Sequence, residues 1–334
     1  MRSRVPGRSA FPRPGGERPT DAKKRDESGA KPELLRRLGR QPDPAGENHL
    51  VLITLDSCRY DTFQEAAPSN LASAFGGLGS IERRISYAPW TAPSHYNLLM
   101  GLLPHRSPRH VYASEYYKED FVRYRERLGT GPERAIDFAS LVPSLWLPTF
   151  LRYDLGYRTH AMVSMPVLNR ATPINSDFNR YELMEDHNDM KRMLDRIEEG
   201  EVFTTERPTF LLMNAGETHF PYTIPGDDPE ELPPLDGPHG ILRPVDEDGG
   251  EDGDPGERRL DAAKLEKLRE KQVRAMRYLD REVFPRLWDI LPENTWVILT
   301  SDHGELFGED GYFGHGPILH DKVLEVPFVE GKVR

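Results

Sequence analysis

The sequence predicts an α/β fold with a mostly parallel central sheet flanked by helices. Three observations carry this: short continuous apolar runs, helix-period segments between them, and acids or histidines placed directly after several runs. Along the chain, residues 1–46 come first, rich in Arg, Pro, Gly and Lys and poor in large apolar side chains. Such a segment buries too little surface to offset the entropy of ordering and is expected to be a disordered basic tail, with a docking arm for an acidic partner as the alternative. Structure is expected from residue 47 to 334, opening at 49–55 (HLVLITL), a run suited to a strand buried on both faces. Similar runs at 159–164, 209–214, 295–301 and 326–330 predict further strands. Helical spacing of Val273, Met276, Val283, Leu287 and Leu291 predicts helix over about 260–291. Residues 225–257 interrupt the alternation with Pro, Gly, Asp and Glu, and read as a flexible acidic insertion or a lid.

Composition narrows the function classes. The 334 residues carry a net charge of -11 and a pI near 5.5, which argues against nonspecific binding to nucleic acid, where a basic surface is the usual footprint. One cysteine, Cys58, permits no intrachain disulfide and fits a cytoplasmic location. No apolar run reaches the roughly 18 residues of a membrane span. No secretion signal is recognisable, so the chain is expected to meet its substrate in solution, with no membrane association.

In open α/β sheets ligands bind outside the carboxyl ends of the strands. There Leu55 gives way to Asp56, Asn214 is followed by Glu217, Thr218 and His219, and Ser301 runs into Asp302, His303, Gly304 and Glu305. Any one of these acids alone reads as a helix cap or turn former. Together they make a metal site, because carboxylate and imidazole are ordinary ligands for Mn²⁺, Zn²⁺ or Mg²⁺. Adjacent Asp302 and His303, on a turn with a permissive Gly304, can face one cation.

The stretch 300–329, TSDHGELFGEDGYFGHGPILHDKVLEVPFV, resembles the C-terminal metal motif of the sulfatase branch of the alkaline phosphatase superfamily. That resemblance implies an alkaline-phosphatase-like three-layer sandwich, with Asp302 and His303 as metal ligands and His315 as a substrate-contacting residue. Residues 88–106 resemble the family's nucleophile motif and put Thr91 on the nucleophile. Threonine cannot form the formylglycine of true sulfatases, so the chain looks like the members that attack with a threonine alkoxide. As a weak nucleophile at neutral pH, the hydroxyl needs a base or a metal. The alternative role of T-A-P-S, a helix boundary, is compatible with this, since a helix N-terminus suits an anionic phosphoryl group.

Residues 55–61 are similar to the family's first motif, with Asp56 as the shared ligand. Ser57 stands where sulfatases usually have a second Asp, which disfavours their calcium site. The resemblance therefore implies one divalent ion, Mn, Zn, Mg or Ca, held by Asp56, Thr91, Asp302 and His303. A second ion would have only His219 and His315 to spare. Arg59 and Asp61 read as a structural pair and Cys58 as a packing residue. Residues 216–222 resemble the segment that places a histidine near the leaving group, so His219 is expected to act as general acid or to hold a substrate oxygen. His95 occupies the place of a sulfatase arginine and is expected to support the nucleophile. The chain stops soon after the V-P strand, so most of the sulfatase C-terminal subdomain is expected to be missing. Implied as activity is metal-dependent hydrolysis or transfer of phosphate-type esters, a phosphodiesterase or phosphotransferase reaction through a covalent threonine intermediate. The alternatives are a sulfuric ester hydrolase without formylglycine and a noncatalytic binding protein.

Overall fold

A computed structural model describes residues 46–106, 126–130, 146–200, 202–227, 243–244 and 262–333. The basic tail up to residue 45 and most of the acidic insertion lie outside these residues. Strands β1 (His49–Leu55), β2 (Glu82–Ile85), β3 (Arg158–Val163), β4 (Arg180–Leu183) and β5 (Thr209–Ala215) precede a short β6 (Arg243–Pro244). After them come β7 (Thr295–Ser301), β8 (Leu306–Phe307), β9 (Tyr312–Gly314) and β10 (Glu325–Val333). The main sheet runs β2-β10-β7-β1-β5-β3-β4, and β6, β9 and β8 form a small second sheet. Pairing is parallel from β7 to β4 and antiparallel where β10 joins β7 and β2.

The continuous apolar runs are explained by a core on each face of the sheet. Val51, Ile53 and Leu55 point to one side, against Met193 and Ile197 of the helix Met190–Glu198 and Val273 and Met276 of the helix Ala262–Tyr278. Leu50 and Leu52 point to the other, against Leu98 and Leu99 of the helix Thr91–Leu99 and Phe150 and Leu151 of the helix Leu147–Tyr153. Strands covered on both faces have no solvent side to alternate with, hence no period-2 pattern.

The predicted helix over 260–291 is not one uniform helix. It widens into a π turn at Leu279–Val283 before a final helix, Phe284–Ile290. Pro285 accounts for the break, because it has no N–H to give the carbonyl four residues back and its ring crowds that turn. Strands β2 and β4 were not expected. Both are four-residue edge strands, ERRI and RYEL, whose charged side chains break the apolar pattern, as edges facing solvent require.

Register positions the site. Leu55 lies level with Ala215 on one side and Ser301 on the other. Asp56 and Asp302 therefore leave adjacent parallel strands at the same height, about one strand spacing apart. The β8–β9 hairpin then folds the following chain back, pairing Leu306 with Gly314, so that Glu305 and His315 stand across from each other.

A candidate metal centre at the carboxyl ends of the central strands

Ligand atoms of Asp56, Asp302 and His303 lie within 4.8 Å of one another, all three residues being buried. Asp56 Oδ2 accepts from Asn214 Nδ2 at 3.0 Å, and its Oδ1 accepts from Ser57 Oγ at 3.2 Å. Asp302 Oδ1 accepts the backbone N–H groups of Ser57 at 3.0 Å and of His303 at 2.8 Å. Its second oxygen, Oδ2, is buried with no hydrogen-bond partner among the described residues. His303 gives Nδ1 to the Gly304 carbonyl at 2.8 Å, which turns Nε2 inward.

Electrostatics favour a cation here. Burial by itself would raise the Asp56 carboxyl, but His219, His303, His95 and the Asn214 hydrogen bond hold it below the usual carboxylate range. Burial and the neighbouring Asp56 charge push Asp302 well above that range. Burial, reinforced by His315, keeps the His303 imidazole neutral with a lone pair to donate. A pair of buried carboxylates that cannot both ionise, an orphaned oxygen and a neutral inward imidazole are the features a divalent cation would complete.

Thr91 opens the helix Thr91–Leu99, where first-turn amides lack intrahelical acceptors. Its Oγ1 is 3.5 Å from Asp56 Oδ1 and 3.3 Å from His303 Nε2, at the centre of the cluster. The T-A-P-S pattern makes local sense, because Pro93 sits in the first turn, where no N–H is needed, and Ser94 Oγ donates to the Ala88 carbonyl at 3.0 Å. His95, wholly buried, uses both ring nitrogens, Nδ1 to the Thr91 carbonyl at 2.8 Å and Nε2 to Thr54 Oγ1 at 3.0 Å. It braces the Thr91 turn through that carbonyl, with both ring nitrogens already committed.

His219 and His315 complete one wall. His219 directs Nδ1 to the Phe220 carbonyl at 2.7 Å and His315 directs Nδ1 to Glu305 Oε1 at 2.9 Å, so each keeps Nε2 for a ligand. The His315 ring centroid is 4.2 Å from that of His303 and 5.5 Å from that of His219. Gly304 is required by crowding, since a Cβ there would lie 2.2 Å from the Lys322 carbonyl oxygen. Arg59 pairs with Asp61 at 2.6 Å and Glu309 at 2.7 Å, and Cys58 is a buried free thiol.

Several contacts that matter here carry no sequence signal. Gln272, on a helix remote in sequence, donates Nε2 to the carbonyls of Ser57 at 2.8 Å and Thr218 at 3.0 Å, tying two strand ends together. Thr218 Oγ1 donates to the Asp56 carbonyl at 2.7 Å. Only the strand-end position of Asn214 hinted at its contact with Asp56.

Glu217, next to this wall, accepts from the Met190 N–H at 2.7 Å, while among the described residues its buried Oε2 has no hydrogen-bond partner. Burial, with Asp189 adding to it, pushes this carboxyl from 4.5 up to about 7. The folded state therefore binds more protons than the unfolded one between those values, and stability falls as pH rises through that window, by roughly 3 kcal/mol. Glu217→Gln is expected to flatten this fall. Thermal unfolding of the metal-free proteins from pH 5 to 8 checks it, and parallel curves for the two proteins would contradict the assignment.

The sulfatase family model matches residues 49–329. Among solved structures, the C-terminal periplasmic domain of EptC from Escherichia coli in complex with Zn superposes with a TM-score of 0.50 at 13% identity, over 88% of this chain and 78% of that chain. The periplasmic domain of phosphoethanolamine transferase EptC from Campylobacter jejuni matches at 12% identity and TM-score 0.44, over 86% of this chain and 80% of that one. Lipoteichoic acid synthase LtaP from Listeria monocytogenes matches at 12% and 0.43, over 86% and 65%. No curated protein matches the sequence. The expectation of a cytoplasmic location is corrected by the Escherichia coli EptC neighbour, whose matching domain is periplasmic. A single cysteine could not have decided it, because a chain with no second thiol forms no intrachain disulfide in any compartment. Among the described residues no helix is long and apolar enough to cross a membrane.

Proposed function

Since the chain belongs to the sulfatase family, within the alkaline phosphatase superfamily, we propose that it is a metal-dependent hydrolase or transferase of phosphate-type esters that works through a covalent phosphothreonine at Thr91. The observation that carries this is the Thr91 hydroxyl, placed 3.5 Å from Asp56 and 3.3 Å from His303, beside an Asp302 oxygen that has no hydrogen-bond partner among the described residues. Asp56, Asp302, His303 and Thr91 would hold the cation. Its charge, when bound, would favour the threonine alkoxide and offset the negative charge on the transferred group.

The protein's own groups do the rest. His95 fixes the Thr91 carbonyl and so the aim of the hydroxyl. The first-turn amides of the Thr91 helix favour an anion at that end. His219 and His315 offer Nε2 atoms to the oxygens of the ester, one of them the departing oxygen. Attack forms the Thr91 Oγ–P bond and breaks the bond to the leaving alcohol, and water or a second alcohol then releases the phosphoryl group. Threonine in place of Cys or Ser at the reacting position, and Ser57 in place of a second Asp, favour phosphate-type over sulfate esters. A small anionic ester is the partner this pocket suits, and the acidic chain suits nucleic acid poorly.

The test is turnover of nitrophenyl phosphate, phosphodiester, phosphonate and sulfate by metal-free protein resupplied with Zn²⁺, Mn²⁺, Mg²⁺ or Ca²⁺. Metal-dependent release that is faster from phosphate-type esters than from sulfate is expected. No turnover of any ester, by protein shown to bind metal, would refute the hydrolase and leave a transferase to be sought with alcohol acceptors; preference for sulfate would overturn the substrate class.

A further inference from the structure

We infer that Glu305, with Tyr222 behind it, is a positioning residue that fixes which nitrogen of His315 meets the substrate. This rests on the reading of His315 as a substrate-contacting residue. The β8–β9 register sets Glu305 across from His315, and Oε1 receives the His315 Nδ1–H at 2.9 Å. Oε2 receives the Tyr222 hydroxyl. Both acceptors of a fully buried carboxylate are thus committed, and among the described residues no Lys or Arg pairs with it. Burying a carboxylate without a cationic partner is costly, and packing alone would favour an apolar side chain there. The carboxylate is instead matched to what it does: two fixed acceptors for two donors, which leave His315 Nε2 as the only nitrogen free for a ligand.

Tyr222 shows the same commitment. It adopts a left-handed backbone, φ 60°, rare for an aromatic residue, in a turn closed by its N–H to the His219 carbonyl at 2.7 Å. Its ring packs against Phe220 and Phe307. One turn therefore supplies His219 directly and, through Tyr222 and Glu305, sets the ring of His315. Glutamine at 305 would keep the shape but present one acceptor and one NH₂ donor, so it cannot receive both Tyr222 and His315.

Two measurements test this, one of them independent of turnover. In protein with ¹⁵N-labelled histidine, the His315 signal, assigned by its loss in His315→Asn, is expected to report a proton on Nδ1. In Glu305→Gln it is expected to shift toward the Nε2–H form. An unchanged tautomer in Glu305→Gln would overturn the inference whether or not the protein turns over a phosphate ester, and so separates its failure from failure of the proposed function. With the best ester of the panel, Glu305→Gln is expected to lower kcat/KM about 10- to 100-fold, and Tyr222→Phe less, with metal affinity unchanged. On a His315→Ala background, Glu305→Gln should cost little more than twofold. A full additive loss there, or an equal loss of metal affinity, would mark Glu305 as merely structural.

Discussion

Thr91→Ala is expected to lower turnover of the best phosphate-type ester by at least about a thousandfold while the protein still folds. Removal of a nucleophile costs far more than removal of a group that only binds, because the covalent route is lost and only binding and charge stabilisation remain. The fold should tolerate the change, since among the described residues Thr91 Oγ1 contacts only Asp56 and His303 through hydrogen bonds, and its backbone carbonyl, which holds His95, is retained. Thr91→Ser keeps the hydroxyl and is expected to retain part of the activity. Rapid acid quench of wild-type protein with a ³²P-labelled ester should trap label on the chain, absent from Thr91→Ala. Unimpaired turnover by Thr91→Ala would exclude the threonine route outright.

The second large effect is expected at Asp302. Asp302→Asn should reduce metal affinity at least about a hundredfold and abolish metal-dependent turnover, because it removes a charge from a three-residue cluster. Stability should move the other way in the metal-free protein. Burial and Asp56 hold the Asp302 carboxyl well above its ordinary range, so the folded state keeps a proton the unfolded state has lost. That makes Asp302 destabilising as pH rises above its unfolded value, and Asn removes the penalty. Metal-free Asp302→Asn should therefore melt above metal-free wild type near neutral pH. Added cation at a hundred times its wild-type Kd should stabilise wild type by about 2.7 kcal/mol and the variant by no more than about 0.4 kcal/mol. A cation-induced shift of equal size in both proteins would remove Asp302 from the ligand set.

Much of the fold was legible because the central strands are buried on both faces. The runs at 49–55, 209–214 and 295–301 are continuous for that reason, and the structure has strands at His49–Leu55, Thr209–Ala215 and Thr295–Ser301. The edge strands Glu82–Ile85 and Arg180–Leu183 were not legible, since their charged side chains answer to solvent and to neighbours such as Pro104, whose carbonyl accepts from Arg84 at 3.2 Å. The π turn at Leu279–Val283 left no mark in the apolar spacing, although Pro285 marked the place.

By itself the sequence determined which residues can do chemistry and where each strand stops. Asp56, Asp302 and His303 follow apolar runs directly, so any parallel arrangement of those runs puts them at one end of the sheet. Thr91 and His315 were legible only through resemblance to a family, and His219 also through its place after a strand end. The tertiary structure alone decided what each one faces. Adjacent strands in equal register set Asp56 beside Asp302, and a hairpin set Glu305 across from His315. A brace from Gln272 joined two strand ends, and His95 turned inward to hold a carbonyl. The Asp56–Asp302 and Gln272 contacts join residues tens to hundreds of positions apart, Glu305 meets His315 across a hairpin, and His95 holds a carbonyl one helical turn back. Strand order, register and burial create them, and local spacing along the chain records none of the three.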